Sequence, residues 1–305
     1  MVLDWLRSKF AGRPVESGEA EAPDKAIFEA RMKNGCRMLL DRRVDEQANA
    51  ARSGEYETST QEICLRMFPP EGIFFDIGAN IGFYTCSLAA RAREHGGHVY
   101  AFEPVEMNAR RLARNIKLNG LEDQVTLTRA ALGDHHGVLT MHIEPQGTAN
   151  NAIGDNMLSP HDRANIAQRG GWKTDQAPLL PLDDWVSQMR LGRCDLIKID
   201  VEGAELHVLR GALELLRRHR PAIVGEFNPY WMKQIGQSFK DAIAFFEPLR
   251  YRFFREMDGR YLPLTEALIA TDFMVPTYVL LPAEREDLAQ GVLDYRMASG
   301  PGTSA

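Results

Sequence analysis

Five short runs of mostly apolar residues, bounded by glycine, proline or acidic residues and separated by stretches of helical periodicity, constrain this chain more than any other feature. They are Ile73–Ile77 (IFFDI), His98–Phe102 (HVYAF), residues 125–130, Leu196–Ile199 (LIKI) and residues 222–227 (AIVGEF). Strands that are apolar on both sides of the pleat need cover on both faces, which parallel strands joined by helical crossovers supply. Helices are expected over Phe83–Arg93, 107–119 and 205–219. The fold class is therefore α/β, a doubly wound, mostly parallel sheet with helices on both faces. Residues 251–255 and 277–281 would add edge strands.

The chain has 305 residues, enough for one large catalytic domain with extensions. Its formal net charge of −6 speaks against nucleic acid as a partner, since phosphate binding calls for a basic stripe. The densest basic run, residues 215–220 (LLRRHR), falls at an expected helix end, where cations favour the dipole. The four cysteines, Cys36, Cys64, Cys86 and Cys194, make no CxxC pair. They read as reduced, buried thiols of a cytoplasmic protein. No apolar run approaches the roughly 20 residues of a membrane span.

Residues 1–24 read as an amphipathic helix followed by a flexible linker. That helix packs or frays, with weak contact to a membrane surface as the alternative. Residues 25–70 form an extension packing on the core, residues 71–285 the catalytic domain, and residues 286–305 a C-terminal tail. Within the domain, residues 140–185 break the strand–helix rhythm. Such insertions are commonly binding loops, which makes Asn150, Asn151 and Trp172 substrate candidates; a plain surface excursion is the other reading.

Residues 76–82 read DIGANIG, where the first strand turns into the first helix. Glycine lets the backbone approach a ligand, and the helix N-terminus offers N–H groups to an anion. Asn80 stands where a dinucleotide fingerprint has its second glycine, which departs from the nicotinamide or flavin pattern. Glu103 ends the next strand, where an acid hydrogen-bonds ribose hydroxyls. Loop and acid together suit an adenosine with a free ribose, as in S-adenosylmethionine. An ordinary strand–helix turn is the competing reading.

The fourth strand runs into IDVEGAE. Asp200 and Glu202 stand at the carboxyl end of the sheet, where open α/β folds bind ligands. Lys198 shares a face with Asp200, so a Lys–Asp pair with Asp200 capping the next helix is the structural alternative.

These segments together, FFDIGANIGFYT, VYAFEP, NIKLNGL, AALGD, LIKIDVEGAELHVLRGA and RPAIVGEF, with GEYE at residues 54–57, resemble the FkbM family of methyltransferases. The resemblance covers about residues 37–227. It implies a Rossmann-like class I methyltransferase fold with S-adenosylmethionine as cofactor. By position it implies that Asp76, Gly78, Asn80 and Gly82 hold the methionine end and that Glu103 takes the ribose. Residues near Ala130 and Ala131 would flank the adenine, and Asp200 would face the methyl group. The family is associated mainly with O-methylation of sugar and natural-product hydroxyls.

An aliphatic hydroxyl must lose its proton as the C–O bond forms, and Asp200, Glu202 and Glu226 are the acids placed to take it, Asp200 first. His207 reads as a surface or packing residue, and His135 and His136 carry no assigned role. Asp200, Glu202 and Glu226 could hold a hard cation, but their spacing does not require one, and no metal is assigned. The NPY of residues 227–231 (FNPYW) resembles the NPPY signature of amino-group methyltransferases but follows the wrong strand and lacks the second proline. Tyr230 and Trp231 read instead as pocket wall or sugar platform. The leading function is thus an O-methyltransferase whose partner is a sugar, glycan or natural-product acceptor. The alternatives are a methyltransferase acting on nitrogen or on RNA or protein, and a non-catalytic cofactor-binding protein.

Overall fold

A computed structural model describes residues 24–143, 152–154, 173–265 and 277–296. The N-terminal helix expected before Asp24 and the substrate candidates Asn150, Asn151 and Trp172 lie outside the described residues.

The central sheet has eight strands. They are β3 (Ile73–Ile77), β4 (His98–Phe102), β5 (Val125–Thr128), β10 (Leu196–Ile199), β11 (Ala222–Glu226), β12 (Tyr251–Met257), β13 (Arg260–Pro263) and β14 (Thr277–Pro282), in the order β13-β12-β14-β11-β10-β3-β4-β5. Strands β5, β4, β3, β10 and β11 pair in parallel, while β14 runs antiparallel between β11 and β12. Residues 277–281 were expected at an edge. They instead fill an interior position, buried along nearly their whole length, because the hairpin of β12 and β13 continues the sheet beyond them.

Alternation along each strand divides the core between two faces. Phe74, Leu196, Val224 and Val279 point to one side, with α2 (Thr58–Met67), α3 (Phe83–Arg93) and α10 (Glu286–Leu293) against it. Phe75, Ile197, Ile223 and Leu280 point to the other, covered by α5 (Leu182–Met189), α6 (Glu205–Arg210), α7 (Leu213–His219) and α9 (Phe239–Phe246). Trp185 of α5 meets Phe75, Tyr100 and Phe102 edge-on at 4.9–6.0 Å, a favoured aromatic geometry. The four cysteines are free and buried.

Three local differences from the sequence reading have physical causes. The helix expected over 205–219 is two helices, broken at Gly211. There the backbone passes so close to Gly133 that a Cβ would lie 1.9 Å from its carbonyl oxygen. Residues 286–293 are a helix rather than tail, because Ala289 and Val292, with Tyr295 beyond, bury against the sheet and α2. The segment expected to be irregular, residues 140–185, supplies much of a second sheet of β6 (Ala131–Leu132), β9 (Lys173–Leu180), β7 (Gly137–Ile143) and β8 (Ala152–Gly154), which begins ahead of it at β6. Its long ladder, Gly137↔Leu179 to Ile143↔Lys173, joins residues too distant in sequence for local pattern to reveal.

Residues 25–70 form the hairpin of β1 (Ile27–Arg31) and β2 (Arg37–Asp41), then α1 (Asp45–Ser53) and α2. Helix α4 (Glu106–Leu118) ties the hairpin down: Asn115 accepts from the Leu39 N–H at 2.7 Å.

Candidate functional site

The order of strands reverses between β3 and β10, and a crevice opens at such a switch point outside the carboxyl ends of the strands. A cavity of about 500 Å³ lies there. The turn after β3 forms part of its wall. Gly78 has φ +80°, and a Cβ on it would lie 1.9 Å from the carbonyl oxygen of Asp200, so only glycine lets β3 and β10 converge at this point. Asn80 also lines the cavity in a left-handed conformation, φ 49°.

Amides expected to greet an anion are engaged within the protein. The N–H groups of Gly78 and Ala79 both donate to the Phe102 carbonyl at 3.0 Å, and the Asn80 N–H donates to Glu103 at 2.8 Å. Gly82 is not on the cavity wall; a Cβ there would meet Leu112 of α4 at close range, so its smallness serves packing. Asp76 lies behind the wall. It is buried, accepts from the Thr85 hydroxyl at 2.5 Å, and has one oxygen without a hydrogen-bond partner. Burial raises its pKa against the opposing pull of Lys198 and Thr85.

Glu103 lines the cavity from the end of β4 and is only 4% exposed. Its carboxylate also accepts from the Val105 N–H at 2.9 Å and the Asn108 amide at 3.4 Å. Burial pushes it up to about 7 despite these bonds. Ala130, Ala131 and Leu132, with Leu139, Met141 and Leu179 of the second sheet, supply an apolar wall.

Beyond β10 the carboxylates gather. Lys198 donates to Asp200 Oδ2 at 2.9 Å, so the Lys–Asp pair exists, but Asp200 caps no helix. The Asp200–Gly203 turn is held instead by Glu205, fully buried, which accepts from the Val201 N–H at 3.1 Å and the Gly203 N–H at 3.0 Å. Burial raises Glu205 to about 8. Glu202 sits in this turn at φ 54°. The cleft walls first, and Asp200 second, push it up to about 7. Glu226, at the end of β11, rises to about 8 through burial and the charges of Asp200, Glu202 and Glu57. Asp200, Glu202 and Glu226 face the one cavity, whereas Glu205 does not line it. No three such groups converge to hold a metal ion among the described residues.

Of the two aromatic candidates, Trp231 lines the cavity and Tyr230 does not, being 58% exposed. The NPY run has a local cause. Asn228 caps α8 (Pro229–Gln234), accepting from the Tyr230 N–H at 3.0 Å, with Pro229 in the first turn.

Among the lining residues to which the sequence reading gives no site role are Tyr56, Glu57, His135 and His207. Tyr56 and Glu57 enter from the turn before α2, and the GEYE motif was their signal. His135 and His207 also line the cavity and bracket Asp134 at 2.7 and 2.6 Å. Burial would raise Asp134, but these bonds hold it below its ordinary value. Nothing local could have joined them, since His207 lies on α6 and Asp134 precedes β7.

A sheet of this order, with its antiparallel strand inside and a ligand cavity at the switch point, defines a Rossmann-like class I methyltransferase fold. The sequence profile of the methyltransferase FkbM domain matches residues 76–253, more than half of the chain. The chain belongs to the FkbM methyltransferase family, and its cofactor is S-adenosylmethionine.

It is 30% identical over 170 residues to the AMB antimetabolite synthetase AmbE of Pseudomonas aeruginosa, a match covering 48% of this chain and 8% of that protein. It is 28% identical over 197 residues to the 2-O-methyltransferase NoeI of Sinorhizobium fredii, covering 62% and 77%. It is 26% identical over 159 residues to the 31-O-demethyl-FK506 methyltransferase FkbM of Streptomyces tacrolimicus, covering 47% and 60%. The match thus spans under two thirds of the first and third of these proteins.

The residues present suit the cofactor. The buried Glu103 carboxylate opens onto the cavity, the apolar wall beside it can take a flat base, and the volume lies in the usual range for small-molecule sites. No helix among the described residues is long and apolar enough to cross a membrane.

Proposed function

We propose that this enzyme methylates a hydroxyl of a sugar, glycan or natural product, with Asp200 as general base. The observation that carries the reading is the state of Asp200 on the cavity wall. Lys198 engages Oδ2 at 2.9 Å, and Oδ1 has no hydrogen-bond partner among the described residues. The cofactor supplies an already activated sulfonium methyl. The chain's own work is then to place a hydroxyl in line behind that methyl and to remove its proton. Asp200 Oδ1 receives the proton, and Lys198, its ion-pair partner until then, stays hydrogen-bonded to the other oxygen. Glu202 and Glu226, raised toward neutrality, are the next candidates for the base.

Glu103 takes the ribose hydroxyls, Ala131 and its neighbours take the adenine, and Gly78 and Asn80 shape the turn that receives the methionine end. Asp76 and Gly82 support that turn from behind. Trp231 offers an apolar platform to an acceptor ring, with Tyr230 at its back, T-shaped at 4.9 Å. Two of the relatives carry names that specify methylation on oxygen, which favours a hydroxyl over a nitrogen acceptor. The free, buried cysteines accord with a reducing cytoplasmic setting.

The test is adenosylhomocysteine release with a panel of methyl glycosides, nucleotide sugars and RNA oligonucleotides. Turnover on a glycoside that falls by about two to four powers of ten in D200N, with cofactor binding intact, supports the reading. Turnover on RNA alone, or an undiminished rate in D200N, sinks it.

A further inference from the structure

Asp200 leaves β10 beside groups that are remote from it in sequence. Lys198, its ion-pair partner, is buried, and its ammonium stands 4.7 Å above the centroid of the Tyr84 ring. The Tyr84 hydroxyl donates to Glu57 Oε2. Four side chains from β10, α3 and the turn before α2 thus form one unbroken line of contacts ending at Asp200.

A lysine on a four-carbon stem has three donors and no fixed direction. The charges of Asp200, Glu57 and Asp76 all act on this one, and its own charge reaches Glu202 and Glu226. Coulomb attraction alone therefore does not select which carboxylate it serves. The aromatic face supplies the selection, since a cation is held above the ring and not beside it. The ring in turn is fixed at both ends. Tyr84 sits in the first turn of α3, and its hydroxyl is tied to Glu57. Glu57 is held by a left-handed backbone, φ 42°, and by its neighbour Tyr56, which stacks on Phe83 with centroids 4.0 Å apart and planes 6° from parallel. Left-handed backbone at a non-glycine residue is unfavourable and persists where the surroundings over-determine it.

We propose that Glu57 is a positioning residue for methyl transfer. Through Tyr84 and Lys198 it holds the Asp200 carboxylate in one orientation, with Oδ2 engaged and Oδ1 turned to the acceptor. The proposal rests on the reading of Asp200 as the base. It makes the segment ahead of the catalytic sheet part of the active site.

The test uses the full chain and the variants Y84F, E57A, E57Q and D200N, with melting temperature as a check on folding. Tyr84→Phe keeps the ring under Lys198 and removes only the donor. Glu57→Gln keeps an oxygen to accept from Tyr84. The first readout needs no acceptor: a held lysine ammonium exchanges its protons slowly and gives a proton–nitrogen correlation in NMR. That signal should be present for Lys198 in wild type and E57Q and absent in Y84F and E57A. The second readout is kinetic, on whichever panel acceptor wild type turns over. Y84F and E57A should lose about tenfold in kcat, with KM for S-adenosylmethionine unchanged and E57Q recovering most of the rate. A Lys198 signal or a kcat that survives in Y84F overturns the proposal, as do equal losses in E57Q and E57A. Undiminished turnover in D200N overturns the reading of Asp200 instead, whatever Glu57 does.

Discussion

The Glu103 carboxylate accepts the backbone N–H of Asn80 at 2.8 Å, so the acid at the end of β4 is tied to the turn that follows β3. The two halves of the proposed cofactor site are therefore one hydrogen-bonded unit. A ligand contact at either half depends on the other being in place.

Glu103→Ala is expected to weaken S-adenosylmethionine binding about 10- to 100-fold, as loss of one or two charge-assisted hydrogen bonds would. Glu103→Gln, which can still accept from Asn80, should lose less. Calorimetric titration measures both. An unchanged Kd in Glu103→Ala would remove the ribose assignment.

Gly78→Ala should destabilise the fold by about 2 kcal/mol or more, combining positive φ with a clash against backbone. Gly82→Ala, also at positive φ, should cost less, because the atom its Cβ meets is the flexible end of Leu112. Urea unfolding ranks the pair, and the reverse order would contradict the close approach of β3 and β10.

Four carboxylates at this site bind their protons more tightly in the folded chain. Glu103 and Glu202 rise to about 7, and Glu205 and Glu226 to about 8, from an ordinary 4.5. Between about pH 4.5 and 8 the native state holds more protons than the unfolded one, so stability falls as pH rises. Their contribution is complete below pH 4.5 and lost as pH climbs through 7 and 8. Unfolding free energy at pH 5 should exceed that at pH 8, and Glu226→Gln should flatten the slope. A slope identical in wild type and variant would show that Glu226 titrates normally.

Glu46, Glu57, Asp200, Glu202 and Glu226 share one cavity with Lys198, and Lys198 is already paired to Asp200. Such a chamber repels an anionic acceptor. Above about pH 8, where Glu202 and Glu226 are ionised, a neutral glycoside should show a KM about tenfold below that of the matching uronic acid, and the double variant E202Q/E226Q should narrow the gap. Preference for the uronic acid in wild type would refute this charge argument.

The strand–helix alternation and both acid-bearing strand ends were legible because they are local. Periodicity places Phe74 and Phe75 on opposite faces, and Glu103, Asp200 and Glu226 at carboxyl ends of parallel strands, without any knowledge of packing. The second sheet was not legible, since β7 and β9 pair across a long insertion and neither carries a turn signal that points to the other. Gly82 looked like part of a ligand loop, yet only the approach of Leu112 shows what its missing side chain is for.

The amino-acid sequence by itself determined the α/β class, the turn at residues 76–82 and the acids at the strand ends, because backbone periodicity and glycine freedom act over a few residues. Tertiary structure alone decided which of those acids share a cavity and what each one touches. It brought Glu57 to Tyr84, Tyr84 under Lys198, and His207 to Asp134, pairs separated in the chain and joined only when helices from different segments close over the sheet. Burial then raised Glu202, Glu205 and Glu226, because the low-dielectric surroundings that do so do not exist until the core has formed.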